Sequence, residues 1–438
     1  MISVEPEAQR ALVIHPALLR TNPADIALDL EEASGLAEAL GVEIAATDAF
    51  SVREIKAANF FGSGKVDELS AVIAAHDINL AIVNSQLAPI QQRNLEKKWG
   101  VKVIDRTGMI LEIFALRAAT KEGKLQVELA RLAYERSRLV RTWTHLERQR
   151  GGQGFLAGPG ETQIESDRRQ LADKIRKLKS DLEQVRRTRS LQRSKRKRAP
   201  ERVVALVGYT NAGKSTLFNL LTESKVFAKD MLFATLDTTH RVLILPNGQK
   251  AVLSDTVGFI TDLPTDLVDA FRATLEEVSE ADLLVHVRDI SDPLTEKRKQ
   301  DVLDVLESID AGPKFDQPIL EVWNKMDLVD TDDVADIEER RDVLNSKGKY
   351  DRFFAISCKT KSGIDSLNDG IEAALSHSDE ILDVVIRPND FHVRAWLHEH
   401  GDVLEEKIDD NGTYGMKVRL PQIDVGILRS RHAQIFRP

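Results

Sequence analysis

The sequence predicts a multidomain α/β protein in four consecutive parts: a small parallel α/β domain (1–108), an antiparallel helical hairpin with a basic linker (109–199), a phosphate-loop α/β domain whose mixed, mostly parallel sheet lies between flanking helices (200–377), and a small α+β domain (378–438). Three observations lead there. Short apolar runs alternate with helix-length amphipathic segments at the N-terminus, two heptad stripes follow, and a strand, a glycine-rich loop and a helix succeed one another from Arg202. A length of 438 residues exceeds what one core organises at about 100–200 residues per domain.

Composition narrows the class. With 42% hydrophobic and 30% charged residues, the chain has ample material for packed cores and no case for wholesale disorder. The single cysteine, Cys358, excludes an intramolecular disulfide framework and cysteine-rich metal ligation, and suits a reducing compartment. The first residues, MISVEPEAQR, lack the basic start and apolar run of a signal peptide, and no run reaches the ~18 apolar residues of a membrane span. A cytoplasmic protein is expected, with a peripheral membrane-associated fraction. The net charge is −9, yet residues 141–200 hold 17 Lys+Arg against 7 Asp+Glu. That asymmetry suits a polyanion contact; a solvated helix face is the alternative.

In the first part, ALVI, INLAIVNS and VKVIDR read as strands, separated by helical stretches ending at EALGV and NLEKKWG. Phe61-Gly62-Ser63-Gly64-Lys65 lacks the spacing of a phosphate loop and reads as a glycine-rich turn opening a helix.

The second part carries two heptad series: Leu125, Leu129, Leu132, Leu139, Trp143 and Leu146, then Ile164, Leu171, Ile175, Leu178, Leu182 and Val185. Two such stripes on consecutive helices predict a hairpin with coiled-coil packing. The glycine-rich tip spans 151–162, and Thr162 and Glu165 form a T-x-x-E box expected to start the second helix. The 27 positions from Lys124 to Arg150 span about 40 Å at 1.5 Å per residue, enough to hold the tip far from the body. An ordinary helical linker is the alternative. The run RRTRSLQRSKRKRAP reads as a flexible basic linker with a nucleic-acid contact as its functional option.

The third part is the most specific. RVVALV is a strand candidate followed by Gly208-Tyr209-Thr210-Asn211-Ala212-Gly213-Lys214-Ser215 and the helical run TLFNLLTE. This is the strand, GxxxxGKS loop and helix that a phosphate-binding loop requires, with backbone N–H groups and the helix N-terminus facing the anion. Lys214 suits the β/γ oxygens, and the Ser215 hydroxyl suits Mg²⁺. Downstream, AVLS ends in Asp255-Thr256-Val257-Gly258, where Asp255 is expected to hold the metal through a water molecule, and the Gly258 N–H to sense the γ-phosphate. PILEVW delivers Asn324-Lys325-Met326-Asp327. A carboxylate at Asp327 accepts from the ring N–H and exocyclic amine of guanine, a donor pair that adenine lacks. FFAIS leads into Ser357-Cys358-Lys359, whose backbone N–H groups suit the guanine O6. The expected ligand is therefore GTP or GDP.

Residues 200–377 thus resemble the translation-factor-related GTPases. The resemblance implies that Phe233-Ala234-Thr235-Leu236-Asp237 is switch I, with Thr235 closing on Mg²⁺, and that Lys214, Thr235 and Gly258 form the catalytic set. RVLILPNGQKAVLSD predicts a hairpin turning at Asn247-Gly248. Phe259 stands where many relatives carry a water-orienting glutamine, which implies slow intrinsic hydrolysis. Asn211 is similar to the asparagine of potassium-activated GTPases, which implies K⁺ beside the phosphates; a loop residue bonding its own backbone is the other reading.

Over nearly its whole length the chain is similar to the HflX family of ribosome-associated GTPases, through GFLAGPGETQIESDRR, NSQLAPIQQRNLE and VIDRTGMILEIF. The resemblance implies a partner in the large (50S) ribosomal subunit, a helical tip reaching ribosomal RNA, and GTP-dependent splitting or rescue of ribosomes under stress. Ala157 stands where relatives often have arginine. A monomer is expected. The alternatives are a nucleotide-gated RNA-binding scaffold with incidental hydrolysis and a tRNA-modification GTPase, which would want a cysteine-bearing C-terminus or a folate-type domain. The last part reads as a strand (DVVIR), a helix (FHVRAWLHEH), a hairpin around Asp410-Asn411-Gly412 and a final helix, with His392, His398 and His400 packed or solvated rather than metal-bound.

Overall fold

The computed structural model describes residues 9–18, 22–149, 159–196, 202–222, 233, 235, 238–261, 275, 277–347, 352–377, 379–409, 411–420, 422–432 and 435. The chain divides into two compact units, Met1–Ser190 with Phe227–Thr238 and Val257–Leu275, and Leu191–Val226 with Thr239–Thr256 and Glu276–Pro438.

The first unit is built on a four-stranded sheet in the order β2-β1-β3-β4, with β1 Arg10–Leu18, β2 Glu43–Val52, β3 Leu80–Val83 and β4 Lys102–Asp105. Every pairing is parallel, and each crossover is a helix: α1 (Pro23–Ala39), α2 (Ser63–Ala75) and α3 (Pro89–Trp99). β3 is buried along its whole length, as a parallel strand covered on both faces must be, which is why INLAIVNS reads as a continuous apolar run. Asn22 caps α1 by accepting from Ala24 N, and Gly100 ends α3 at φ 71°, a left-handed turn that glycine adopts without strain. The Phe61-Gly62-Ser63-Gly64-Lys65 string opens α2, and Lys65 Nζ lies 2.8 Å from both Asp48 and Glu68 and 4.3 Å from the Phe50 ring centroid. Its charge is spent inside the domain, in keeping with a structural turn.

α4 (Arg106–Arg117) leads into α5 (Lys121–Gln149), and α6 is Pro159–Arg196. Here the structure amends the heptad reading. Leu125, Leu129 and Leu132 are half-buried, whereas Gln126, Val127 and Ala130 are buried. α5 packs on α3 and α4 along that second stripe, which Tyr134 and Arg138 continue at helical spacing. In α6, Ile175, Leu178 and Leu182 are buried and Leu171 and Val185 half-buried, as the second series predicts. The side chains of Leu139, Trp143, Leu146 and Ile164 lie outside the described residues. α6 starts at Pro159, a residue that suits a first helical turn, so Thr162 lies inside the helix and does not start it. The helix also runs on to Arg196, so most of the basic run is helical. The tip residues 151–158 fall outside the described ones.

The second unit holds a six-stranded sheet in the order β10-β9-β8-β5-β7-β6: β5 Arg202–Val207, β6 Thr239–Ile244, β7 Lys250–Asp255, β8 Leu283–Asp289, β9 Ile319–Asn324 and β10 Phe353–Ala355. All neighbours are parallel except β6, which pairs antiparallel with β7 through the Asn247-Gly248 turn. Flanking helices are α7 (Lys214–Thr222), α8 (Thr295–Ser308), α9 (Thr331–Asn345) and α10 (Ile364–Ser376). A core that includes Val204, Leu206, Phe218, Leu253, Val285, Val322 and Ile371 holds the sheet against its helices.

Residues beyond α10 form a separate sheet in the order β11-β13-β12, with β11 Glu380–Ile386, β12 Asp402–Ile408 and β13 Tyr414–Leu420, all antiparallel, together with α11 (Phe391–His400) and α12 (Gln422–Arg431). His398 lies 3.3 Å from Glu406, His400 stacks on Trp396 at 4.3 Å, and His392 meets His432 edge-on. No metal-holding cluster occurs among the described residues, and no described helix is long and apolar enough to cross a membrane.

Candidate nucleotide-binding site

The buried strand β5 delivers the loop Gly208–Gly213 into the N-terminus of α7. Two glycines are required by close approach. A Cβ on Gly208 (φ 150°) would meet the Val287 carbonyl oxygen at 2.2 Å, and one on Gly213 (φ 96°) would meet Asn324 Nδ2 at 2.2 Å. Asn211 takes a left-handed φ of 60°, which asparagine tolerates better than most side chains, and its amide is exposed. Lys214, the first residue of α7, is buried and donates from Nζ to the Gly208 carbonyl at 3.0 Å and the Tyr209 carbonyl at 2.7 Å. Burial pushes its ammonium down to about 8, with the Asp255 carboxylate acting in the opposite direction.

The two metal candidates of this unit are side by side. Ser215 Oγ donates to Asp255 Oδ2 at 2.7 Å, and Asp255 is fully buried at the end of β7. A hydroxyl and a carboxylate at one point are the hard oxygen donors that Mg²⁺ prefers, so these residues fit the ion. Beside them Thr256 Oγ1 donates to the Leu206 carbonyl at 2.6 Å, pinning the end of β7 to β5.

The base side is assembled from the ends of β9 and β10. Asn324 donates from Nδ2 to the Ala212 carbonyl at 2.9 Å and accepts the Cys358 N–H on Oδ1 at 3.1 Å. Lys325, at φ 66°, pairs with Asp289 at 2.8 Å, and Met326 N donates to the Ile356 carbonyl at 3.2 Å. Asp327 accepts from Ser357 Oγ at 2.6 Å, with Lys359 Nζ 3.7 Å away. The Ser357 hydroxyl holds the Asp327 carboxyl below the usual carboxylate range, so it is ionised at neutral pH. Burial pushes the Cys358 thiol up to about 12, which makes it a packing residue and not a nucleophile.

Phe233, Thr235, Val257 and Gly258 belong to the first unit, whereas Ala234, Leu236 and Asp237 lie outside the described residues. Phe259 is 1% exposed, so its ring serves packing. Sequence reasoning missed a shallow cleft beside the phosphate loop, lined by Tyr209, Thr210, His286, Arg288, Asp292 and Arg298 among others. It also missed Arg298, which sits 4.7 Å over the Tyr209 ring, and Asp289, the partner of Lys325. The string DISDP, which starts at the last residue of β8, was the available clue, since polar residues at a parallel strand's C-terminal end line the crevice where ligands bind.

Three family profiles match the chain: the GTP-binding GTPase N-terminal region over 27–115, the GTP-binding GTPase middle region over 117–196, and the 50S ribosome-binding GTPase over 203–325. GTPase HflX of Magnetococcus marinus is 48% identical over 384 residues, covering 88% of this chain and 86% of that protein. GTPase HflX of Escherichia coli K12 is 41% identical over 416 residues, covering 95% and 94%. Among solved structures, the crystal structure of the SsGBP and GDP complex is 25% identical with a TM-score of 0.50, covering 84% of this chain and 99% of that one. The loops, their order along a mostly parallel sheet and these relatives converge: the chain belongs to the HflX GTPase family and is a GTP-binding, GTP-hydrolysing enzyme.

Proposed function

We propose that this GTPase acts on the large ribosomal subunit in its GTP state, splitting or rescuing ribosomes under stress. One observation carries the reading: a 38-residue helix, α6, exposes Arg168, Arg169, Lys174, Arg176, Lys177, Lys179 and Arg187 in the same chain as a guanine-nucleotide site. Such a helix gains affinity for RNA by neutralising phosphates, and the match to a 50S ribosome-binding GTPase profile supports the choice of RNA. The cytoplasm, where ribosomes work, is the setting.

In this reading, Ser215 and Asp255 hold Mg²⁺ and Thr235 joins them in the triphosphate state. Lys214 neutralises the β/γ oxygens, the Gly258 N–H senses the γ-phosphate, and Asp327 selects guanine. Asn211, exposed on the loop, is the residue for K⁺. Bound Mg²⁺ supplies charge neutralisation at the transferring phosphoryl group. Phe259, the residue directly after Gly258, is buried and carries no group to orient water, so the ribosome is the expected source of stimulation. Sedimentation with purified large subunits tests this. Co-sedimentation with a GTP analogue but not GDP, and strong stimulation of GTP turnover, are expected. Binding to RNA regardless of nucleotide would favour a scaffold instead.

A further inference from the structure

The residues of VIDRTGMILEIF do more than close the N-terminal sheet. Arg106 opens α4 and is 9% exposed. Its Nη1 donates to Asn84 Oδ1 at 2.6 Å, and its Nη2 donates to Glu32 Oε1 at 2.7 Å and to the Thr261 carbonyl at 2.9 Å. Thr261 lies three residues beyond Gly258, on the Val257–Leu275 segment that groups with the first unit. A buried guanidinium therefore spends a charge-assisted donor on the backbone of the loop that follows the γ-phosphate-sensing glycine.

The preceding residue has a different set of partners. Asp105 is fully buried and caps α4, accepting the Gly108 N–H at 2.8 Å and the Leu87 N–H at 3.2 Å. It also accepts from Tyr134 Oη and Arg138 Nη2, each at 2.6 Å, and those two side chains sit one turn apart on α5. Burial and the Asp105 charge push the Tyr134 phenol up, so it stays a donor at any working pH. Farther along α4, Phe114 meets Phe233 edge-on at 4.8 Å. One short helix thus holds the segment after Gly258, a switch I residue and the long helix α5.

We propose that Arg106 is a positioning residue that fixes the segment carrying Gly258, and that the Asp105–Arg106 pair couples that segment's nucleotide-dependent position to α5. The inference rests on the role given to Gly258 above. A shift of about an ångström at Thr261 breaks its bond to Arg106 and leaves a buried guanidinium N–H unpaired, unless the start of α4 moves with it. Because Asp105 is the cap of the same helix, that movement reaches Tyr134 and Arg138 directly.

Amide hydrogen exchange over residues 121–138 of the full chain, with GDP and with a non-hydrolysable GTP analogue, tests the coupling. In the wild type, exchange in α5 is expected to differ roughly fivefold between the two nucleotides, the size of one hydrogen bond's contribution to local opening. Arg106→Lys keeps a charge for Glu32 but lacks the fork that reaches both Asn84 and the Thr261 carbonyl. Tyr134→Phe removes a single hydroxyl at the far end. Each variant should erase the nucleotide-dependent difference while binding GDP as the wild type does. A merely structural role would change exchange equally in both states. Persistence of the full difference in Arg106→Lys and Tyr134→Phe, or its absence in the wild type with both nucleotides bound, overturns the proposal. Failure of the wild type to bind GDP strikes at the nucleotide reading itself.

Discussion

The side-chain amide of Asn324 donates to the carbonyl of Ala212 at 2.9 Å, fastening the end of β9 to the phosphate loop. Its oxygen meanwhile accepts the Cys358 N–H, so one buried side chain ties together the loops after β5, β9 and β10. Asn324→Asp removes the donor and sets a carboxylate oxygen against a carbonyl. The expected loss is about 2–3 kcal/mol of stability, with GTP and GDP affinities lowered at least tenfold together. Calorimetric titration and thermal melts check this; a variant that melts like the wild type would show that the tie contributes nothing.

Gly208→Ala should act through geometry alone. The new methyl carbon would lie 2.2 Å from the Val287 carbonyl oxygen, a backbone atom of a central strand that cannot step aside. A destabilisation of about 2 kcal/mol or more is expected, with the phosphate loop displaced and nucleotide binding weakened. Gly248→Ala is the control: nothing lies within 4 Å of its Cβ position, and its cost should be confined to the strain of φ 83°.

The domain should be acid-sensitive from near neutrality. His286 is buried in β8, where desolvation pushes its imidazole down to about 3, against a usual value near 6.5. Its unfolded form takes up a proton below about pH 6.5 while the folded form stays neutral, so stability is full above that value and falls as pH drops toward 3. Glu321 adds a second loss at lower pH. Burial works against its charge, but Arg288, Lys299 and Trp323 outweigh that and hold it down at about 2, and its contribution fades as pH falls below about 4.5. Urea midpoints between pH 7.5 and 5 should decline in the wild type and less steeply in His286→Gln.

Cys358 offers a probe of the last loop. Its thiol is 8% exposed and pushed up to about 12 by burial, so a thiol reagent at pH 8 should label native protein slowly and denatured protein completely, one group per chain. Rapid labelling of the folded chain would contradict the burial of Ser357 and Cys358 beside the Asn324 bridge.

How far the sequence was readable follows from how local each feature is. The phosphate loop, Asp255 and Asn324 through Asp327 stand at strand ends in a fixed order, and the structure brings Ser215 to Asp255 and Ser357 to Asp327 without any long inference. The buried face of α5 was not readable because its leucines advertise a heptad seam, while the contacts made by Tyr134 and Arg138 are polar and end on a carboxylate 29 and 33 residues away. The basic run after Val185 reads as a linker on composition, yet lysine and arginine are good helix formers and α6 continues to Arg196. Pairings such as Lys325 with Asp289 join the ends of two strands separated in the chain by a whole helix, and no local pattern marks them.

Guanine selection by Asp327 is the central claim, and changing the acid to an amide tests it most directly. Asp327→Asn loses an acceptor for the guanine amine but gains a donor for the carbonyl that xanthine carries at that position. Calorimetric titration of the variant should show GDP binding weakened roughly 100-fold, about 2.7 kcal/mol, and xanthosine diphosphate bound more tightly than by the wild type. Unchanged GDP affinity, with xanthosine diphosphate still rejected, would contradict the assignment of this site.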